Sequence, residues 1–211
     1  DGGMVASRSA WASQVGAQIL DQGGNAVDAA VAVGFALAVT YPSAGNLAGG
    51  GFMVIHLNDG TVITNDHREK APAASTKDMF LDSEGKVVKG LSTKSHFAVG
   101  VPGSVAGLLS VLEKYGTLDR KQVIQPALDL AANGILLDRD LAEAFARRQP
   151  EFAPYADSRA VFSDDGELYQ IGNRWIQSDV AQTLIRLTCK GRDGFYKGRT
   201  ADVLVGEMKT G

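Results

Sequence analysis

Residues 29–39 carry no charged side chain and present no polar face. Asn25 before them is a preferred N-cap residue, and Asp28 suits the positive end of a helix. Tyr41-Pro42 ends the pattern near Thr40. A helix that is apolar on every side must be buried on every side. We therefore predict a central core helix here, with Asp28 as a structural carboxylate.

The composition argues against two classes of binding partner. The 211 residues carry a formal net charge of -3, and the basic residues are scattered, so the sequence does not indicate a nucleic-acid-binding protein. The apolar stretch is far shorter than the roughly 20 residues that a membrane-spanning helix needs. The single cysteine, Cys189, permits no intrachain disulfide, and we expect it to be a small buried hydrophobe on a helix.

Strand signals flank one tight turn, and helix signals dominate the second half of the chain. Asn58-Asp59-Gly60 predicts a hairpin between strands at residues 52–57 and 61–65, and residues 4–7 read as another short strand. Buried helices beside a hairpin indicate an α/β (α+β) layered domain with a helix-rich second half, rather than a helical bundle. Helices are predicted at residues 9–20, 105–114, 121–132, 139–148, 179–188 and 200–208, with an irregular stretch through Pro150, Pro154 and Asp164-Asp165-Gly166.

Several residues invite catalytic or ligand-binding interpretations that their context does not favour. Gly49-Gly50-Gly51 follows a helix and precedes a strand, the reverse of a phosphate-binding loop, so close backbone approach is the better interpretation. Ser104 lacks the flanking glycines of a serine nucleophile elbow and is predicted to be the N-cap of the next helix. His56, His67 and His96 lack metal-ligand spacing, so we predict no metal site and no cofactor.

The charged segment Asp66-His67-Arg68-Glu69-Lys70 follows the predicted return strand. A solvated strand end is one interpretation of such a segment. The other is a binding site, because the planar guanidinium of Arg68 can hold a carboxylate through two parallel hydrogen bonds. Residue chemistry alone leaves both interpretations open.

Segments along nearly the whole chain, in order and with similar spacing, resemble the γ-glutamyltranspeptidase family. Each motif alone is weak evidence, but eight motifs in register are specific. They are Gly3-Met4-Val5-Ala6-Ser7, residues 23–40, Tyr41-Pro42 through Phe52-Met53, Arg68-Glu69-Lys70-Ala71-Pro72, Asp78-Met79-Phe80-Leu81-Asp82, Val101-Pro102-Gly103-Ser104-Val105-Ala106-Gly107, Lys114-Tyr115-Gly116 and Phe195-Tyr196-Lys197-Gly198.

The resemblance implies the αββα sandwich of N-terminal-nucleophile hydrolases. Members of the family are made as one precursor that cuts itself into a large and a small subunit. The new N-terminal threonine of the small subunit attacks the γ-glutamyl bond of glutathione and related compounds, with its free α-amino group as the base. By the match to the Arg-Glu-x-Ala-Pro motif, Arg68 takes the role of binding the α-carboxylate of the γ-glutamyl group. The resemblance assigns no catalytic residue to this chain.

The same resemblance implies that residues 1–211 are the N-terminal part of a large subunit, a fragment of one larger domain that is inactive alone. The expected partners are glutathione or another γ-glutamyl compound, the rest of the large subunit and the small catalytic subunit. The chain shows no signal-peptide core, and a periplasmic or extracellular location is expected from the family. Two alternatives stay open: a relative acting on poly-γ-glutamate or a β-lactam side chain, and a non-catalytic scaffold or binding module that kept the fold.

Overall fold

The computed structural model describes residues 3–210. Within them, the regular structure is mostly helical, with two short antiparallel strand pairs. The helices are α1 (Ala10–Asp21), α2 (Ala26–Thr40), α3 (Leu91–Lys94), α4 (Ser104–Tyr115), α5 (Arg120–Asn133), α6 (Arg139–Phe152), α7 (Ala156–Phe162), α8 (Ser178–Lys190), α9 (Asp193–Tyr196) and α10 (Arg199–Met208), with a 3-10 turn at His96–Ala98. The strands are β1 (Phe52–His56), β2 (Val62–Asp66), β3 (Ile135–Leu136) and β4 (Arg174–Trp175).

Helix α2 is the central helix that its sequence predicts. Val31, Phe35 and Val39 are completely buried, and the helix packs against α1, α4 and α5. Helix α5 packs in turn against α8, so one continuous apolar core joins both halves of the chain. Within residues 3–210, no helix has both the length and the apolar character to cross a lipid bilayer.

Asp28 ties the start of α2 to the loop after α4. Its carboxylate is fully buried and accepts hydrogen bonds from the N–H of Asn25 (2.8 Å), the N–H of Leu118 (3.2 Å) and the hydroxyl of Thr117 (2.7 Å). Burial acts to raise the pKa of Asp28, but the hydrogen bonds from Thr117, Asn25 and Leu118 outweigh it and hold the pKa below its usual 3.8. Asn25 caps α2 and also donates from its amide to the Tyr115 carbonyl at 2.8 Å.

Strands β1 and β2 form the predicted antiparallel hairpin. Alternation along each strand separates two faces. Ile55 and Ile63 lie on the inner face and pack on the helical core. On the outer face Phe52, Val54 and Val62 are 68%, 73% and 60% exposed. Within residues 3–210, therefore, helices cover only one face of the hairpin.

A second hydrophobic cluster surrounds β3 and β4. Trp175 is buried at its centre, and the ring of Phe145 meets it edge-on with centroids 4.8 Å apart. Phe152 stacks on Phe162 at 4.5 Å. The predicted irregular stretch is therefore wrong in part: α6 continues past Pro150 and α7 forms, because ring packing outweighs the local proline signals.

Two further local predictions are wrong. Residues 4–7 form no strand; Val5, at their centre, packs instead against Gly16 of α1. Cys189 lies on a helix as predicted but is exposed. The buried stripe of α8 runs through Ala181, Leu184 and Leu187, and Cys189 falls outside that stripe.

The glycine run at residues 49–51 brings the start of α4 against the end of the hairpin. The carbonyl of Gly49 accepts the N–H groups of Gly103 (2.7 Å) and Ser104 (2.9 Å). This contact corrects the prediction for Ser104, which is the first residue of α4 and uses no side-chain cap, because a carbonyl from another segment satisfies these donors. Gly51 and His67 exchange backbone hydrogen bonds of 3.3 and 3.0 Å. The predicted close backbone approach of the glycine run is therefore confirmed.

The backbone after β2 is enclosed by glycines on both sides. A Cβ atom at Gly50 would lie 2.6 Å from the Glu69 nitrogen and 2.7 Å from the His67 oxygen. A Cβ at Gly103 would overlap the same oxygen, and one at Gly107 would overlap the His67 side chain. Only glycine allows these backbones to approach so closely.

We predict that Asp28→Asn lowers the free energy of unfolding by about 1.5–3 kcal/mol at pH 7, because a charged acceptor of several hydrogen bonds is lost. The pKa of Asp28 is depressed in the fold, so its stabilising contribution is complete above its unfolded pKa and is lost as the pH falls through the folded pKa. The difference in thermal midpoint between wild type and Asp28→Asn should therefore shrink on acidification. Exposed Asp129→Asn serves as the control. A difference that stays constant down to pH 3 would contradict this account.

We predict that Gly107→Ala destabilises the protein by about 1–3 kcal/mol, because the added methyl group overpacks against His67. Gly206→Ala is the matched control: this residue also lies inside a helix, but a Cβ there meets no atom within 4 Å. The control should be neutral or gain up to about 1 kcal/mol from helix propensity. Thermal unfolding measures both effects, and equal midpoints for the two variants would show that residue 107 is not tightly packed.

Candidate functional site

Arg68 lies two residues after the end of β2, in the wall of a cavity of about 1040 Å³. Its backbone N–H donates to the Asp66 carboxylate at 3.0 Å, and its side chain is 64% exposed. The guanidinium Nε lies 3.3 Å from Oε2 of Glu69, and the guanidinium makes no other polar contact within residues 3–210. The two terminal nitrogens of the guanidinium are therefore available to a ligand.

Glu69 supplies a fixed negative charge beside this guanidinium. Its Oε2 atom is buried and has no hydrogen bond within the described residues, so the contact with Arg68 is a charge contact rather than an aligned hydrogen bond. The side chain is wedged between glycines: a Cβ at Gly50 would lie 2.8 Å from Oε2, and a Cβ at Gly100 would lie 2.8 Å from the Glu69 Cβ. Because the Arg68 side of this ion pair is mostly exposed to solvent, the pair contributes only about 0–1 kcal/mol. It orients Arg68 without locking it.

His67 adds no positive charge next to Arg68 near neutral pH. Burial lowers the pKa of His67 below its usual value, although the carboxylates of Asp66 and Glu69 act to raise it. The Nδ1 atom lies 2.8 Å from Oδ1 of Asn65, and we assign the proton to Nδ1 because an amide oxygen only accepts. The imidazole ring of His67 therefore packs as a neutral group beside Arg68.

The cavity wall carries charges of both signs. Arg120 is fixed, because its Nε and Nη2 donate to the Thr188 carbonyl at 3.2 and 3.1 Å. A mixed wall suits a ligand that carries carboxylate and ammonium groups together. Within residues 3–210, no group of three His, Cys, Asp or Glu side chains is placed to hold a metal ion. The charged lining residues are Asp66, Arg68, Lys70, Glu113, Asp119, Arg120 and Arg192.

The fold brings together three of the four segments that the sequence singles out. The segment of Arg68 and the turn before α4 line the cavity, and the glycine run contacts both of them through its backbone. The start of α2 lies instead against the loop after α4. Sequence reasoning named only Arg68 and missed Glu69 and Tyr196. The signal for Glu69 was its place next to Arg68 in the same motif. Tyr196 stood in the matching Phe195-Tyr196-Lys197-Gly198 stretch, but its contact with the turn before α4 is long-range.

Known proteins match this chain closely. A glutathione hydrolase proenzyme of Pseudomonas sp. (strain A14) is 50% identical over 100% of this chain and 37% of its own length. The glutathione hydrolase proenzyme of Escherichia coli (strain K12) is 47% identical over 98% of this chain and 36% of its own length. The solved structure of Helicobacter pylori gamma-glutamyltranspeptidase superposes with a TM-score of 0.96 at 45% identity, over 100% of this chain and 60% of that chain. This chain thus spans little more than a third of the curated relatives.

These likenesses confirm the predicted fold class, part of the αββα sandwich of N-terminal-nucleophile hydrolases with a helix-rich second half. Cephalosporin acylase from Bacillus halodurans has a TM-score of 0.81 at 24% identity, over 96% of this chain and 37% of that chain, and at this identity the likeness shows the fold alone. The family model described as gamma-glutamyltranspeptidase matches residues 12–211. The chain therefore belongs to the γ-glutamyltranspeptidase family.

Proposed function

We propose that this chain is the N-terminal part of the large subunit of an enzyme that cleaves the γ-glutamyl bond of glutathione and related compounds. The enzyme passes the γ-glutamyl group to water or to an amino acid. Arg68 binds the α-carboxylate of that group, and the small subunit supplies the threonine nucleophile. Membership of the family and the position of Arg68 support this proposal.

The observation that carries the proposal is the state of the Arg68 guanidinium. Its Nε is oriented by Glu69 at 3.3 Å, while the side chain is 64% exposed in the cavity wall. The two terminal nitrogens present the fork that a carboxylate accepts in a bidentate manner. Gly50 and Gly103 enclose the backbone of the segment that carries Arg68. The guanidinium is therefore attached to a rigidly held part of the chain.

Holding the α-carboxylate limits where the γ-carbonyl carbon of the same glutamyl group can lie. The threonine hydroxyl oxygen attacks this carbon, and the amide C–N bond breaks. The hydroxyl proton passes through the free α-amino group to the departing amine nitrogen. Water or an amino acid then attacks the ester carbon and passes its proton through the α-amino group to the threonine oxygen, and the ester C–O bond breaks to release the γ-glutamyl product. Correct placement of the reacting carbon lowers the barrier because orientation is fixed before reaction.

The outer face of the hairpin supports a role for further protein as partner. Phe52, Val54 and Val62 form an exposed apolar surface on a two-stranded sheet, and an isolated hairpin of this kind is marginally stable in water. We propose that the rest of the large subunit and the small subunit cover this face.

By family resemblance the complete enzyme is periplasmic or extracellular. Cell fractionation tests this location.

We predict that Arg68→Ala lowers kcat/KM for a γ-glutamyl donor by about 10- to 100-fold in the complete enzyme, because hydrogen bonds to a charged group contribute about 1.5–3 kcal/mol. Arg68→Lys keeps the charge but loses the planar fork, so it should recover only part of the loss. Steady-state hydrolysis of glutathione measures these effects, and calorimetry with glutamate measures the binding step directly.

Arg147→Ala is the matched control. Its side chain is 68% exposed and its guanidinium lies 3.5 Å from a carboxylate oxygen of Glu143, much like the Arg68 pair. This variant should change kcat/KM by less than about twofold, since surface ion pairs contribute little. Equal glutamate affinity for wild type and Arg68→Ala would remove Arg68 from the site. Glutamate binding without any hydrolysis, in a correctly processed protein, would favour a non-catalytic binding module instead.

A further inference from the structure

Tyr196, at the end of α9, reaches across the fold to the start of α4. Its hydroxyl donates to the Pro102 carbonyl at 2.8 Å and accepts the N–H of Ala106 at 3.3 Å. Gly103 holds the N-cap position of α4 and has no side chain to cap the helix. The N–H of Ala106 belongs to the first turn, where backbone donors lack helical partners. The Tyr196 phenol therefore caps α4 from a distant part of the sequence.

The turn that Tyr196 holds is packed against the backbone of the segment of Arg68. A Cβ at Gly103 would overlap the His67 oxygen and lie 2.9 Å from the Arg68 oxygen, so these backbones are in direct contact. One residue before the turn, Val101 exchanges backbone hydrogen bonds of 2.8 and 3.2 Å with Lys70. A shift of the turn therefore moves the backbone on both sides of Arg68.

Tyr196 is itself firmly held. The preceding Phe195 is buried in the main core, and the guanidinium carbon of Arg192 lies 4.7 Å from the centre of the Tyr196 ring. Burial raises the pKa of Tyr196, against the lowering influence of the Ala106 N–H and Arg192. The phenol therefore keeps its proton near neutral pH and can donate it to Pro102.

We propose that Tyr196 is a positioning residue for the carboxylate site: its hydroxyl fixes the turn at residues 102–106, and this turn sets the position of Arg68. The inference rests on the proposed function of Arg68. The proposal connects α9, the short helix between α8 and α10, to substrate affinity, although Tyr196 is assigned no contact with the substrate.

The test is Tyr196→Phe in the complete enzyme, which removes the hydroxyl and keeps the ring. Loss of one hydrogen-bonded group corresponds to about a 2- to 10-fold effect. We expect kcat/KM for a γ-glutamyl anilide to fall by about this factor, mainly through a higher KM. Tyr169→Phe, a partly buried tyrosine beside Phe145 in the second cluster, is the control and should change kcat/KM by less than about twofold.

A double-mutant cycle with Arg68→Ala separates positioning from a general loss of structure. If Tyr196 acts through Arg68, adding Tyr196→Phe to Arg68→Ala should change kcat/KM by less than about twofold, because the positioned group is already absent. An equal factor in both backgrounds, or no effect of Tyr196→Phe on wild type, overturns the inference alone. Full activity of Arg68→Ala overturns the proposed function, and the inference with it.

Discussion

Close contact between glycine-rich backbones determines the position of Arg68, the side chain that we propose binds the substrate carboxylate. The segment of Arg68 passes between the glycine run at residues 49–51 and the turn before α4, and side chains at Gly50 or Gly103 would collide with its backbone. Gly49 accepts two N–H groups from the start of α4, so the helix is anchored to the same place. Rigid backbone at the base of a side chain lowers the entropy lost when that side chain binds a ligand.

The electrostatics around Arg68 add orientation to this rigidity. Glu69 holds the Nε side of the guanidinium through a weak, partly exposed contact, and His67 stays neutral because burial lowers its pKa. A stronger ion pair would compete with an incoming carboxylate for the same donors. Among residues 3–210, the observed arrangement leaves the terminal nitrogens free for bidentate binding.

Local patterns in the sequence predicted much of the fold but few of the contacts that build the site. The apolar stretch at residues 29–39, the cap at Asn25 and the turn at Asn58-Asp59-Gly60 each act over a few residues, and each appears in the structure as predicted. The replacement of a Ser104 cap by the Gly49 carbonyl depends on segments far apart in sequence, and so does the reach of Tyr196 to Pro102. The spacing of apolar residues along the sequence carries no information on contacts between segments that are far apart. The role proposed for Arg68 came from the family motif, since residue chemistry alone favoured a solvated strand end and left a binding site open.

The most direct measurement is a crystal structure of the complete enzyme with glutamate bound. We expect both terminal nitrogens of Arg68 to lie about 2.7–2.9 Å from the two oxygens of the glutamate α-carboxylate, with Nε still beside Glu69. We also expect the backbone at residues 65–70 to keep the position that the glycines impose on it. A glutamate whose α-carboxylate is held entirely by other residues, with Arg68 outside hydrogen-bonding distance, would contradict the central claim.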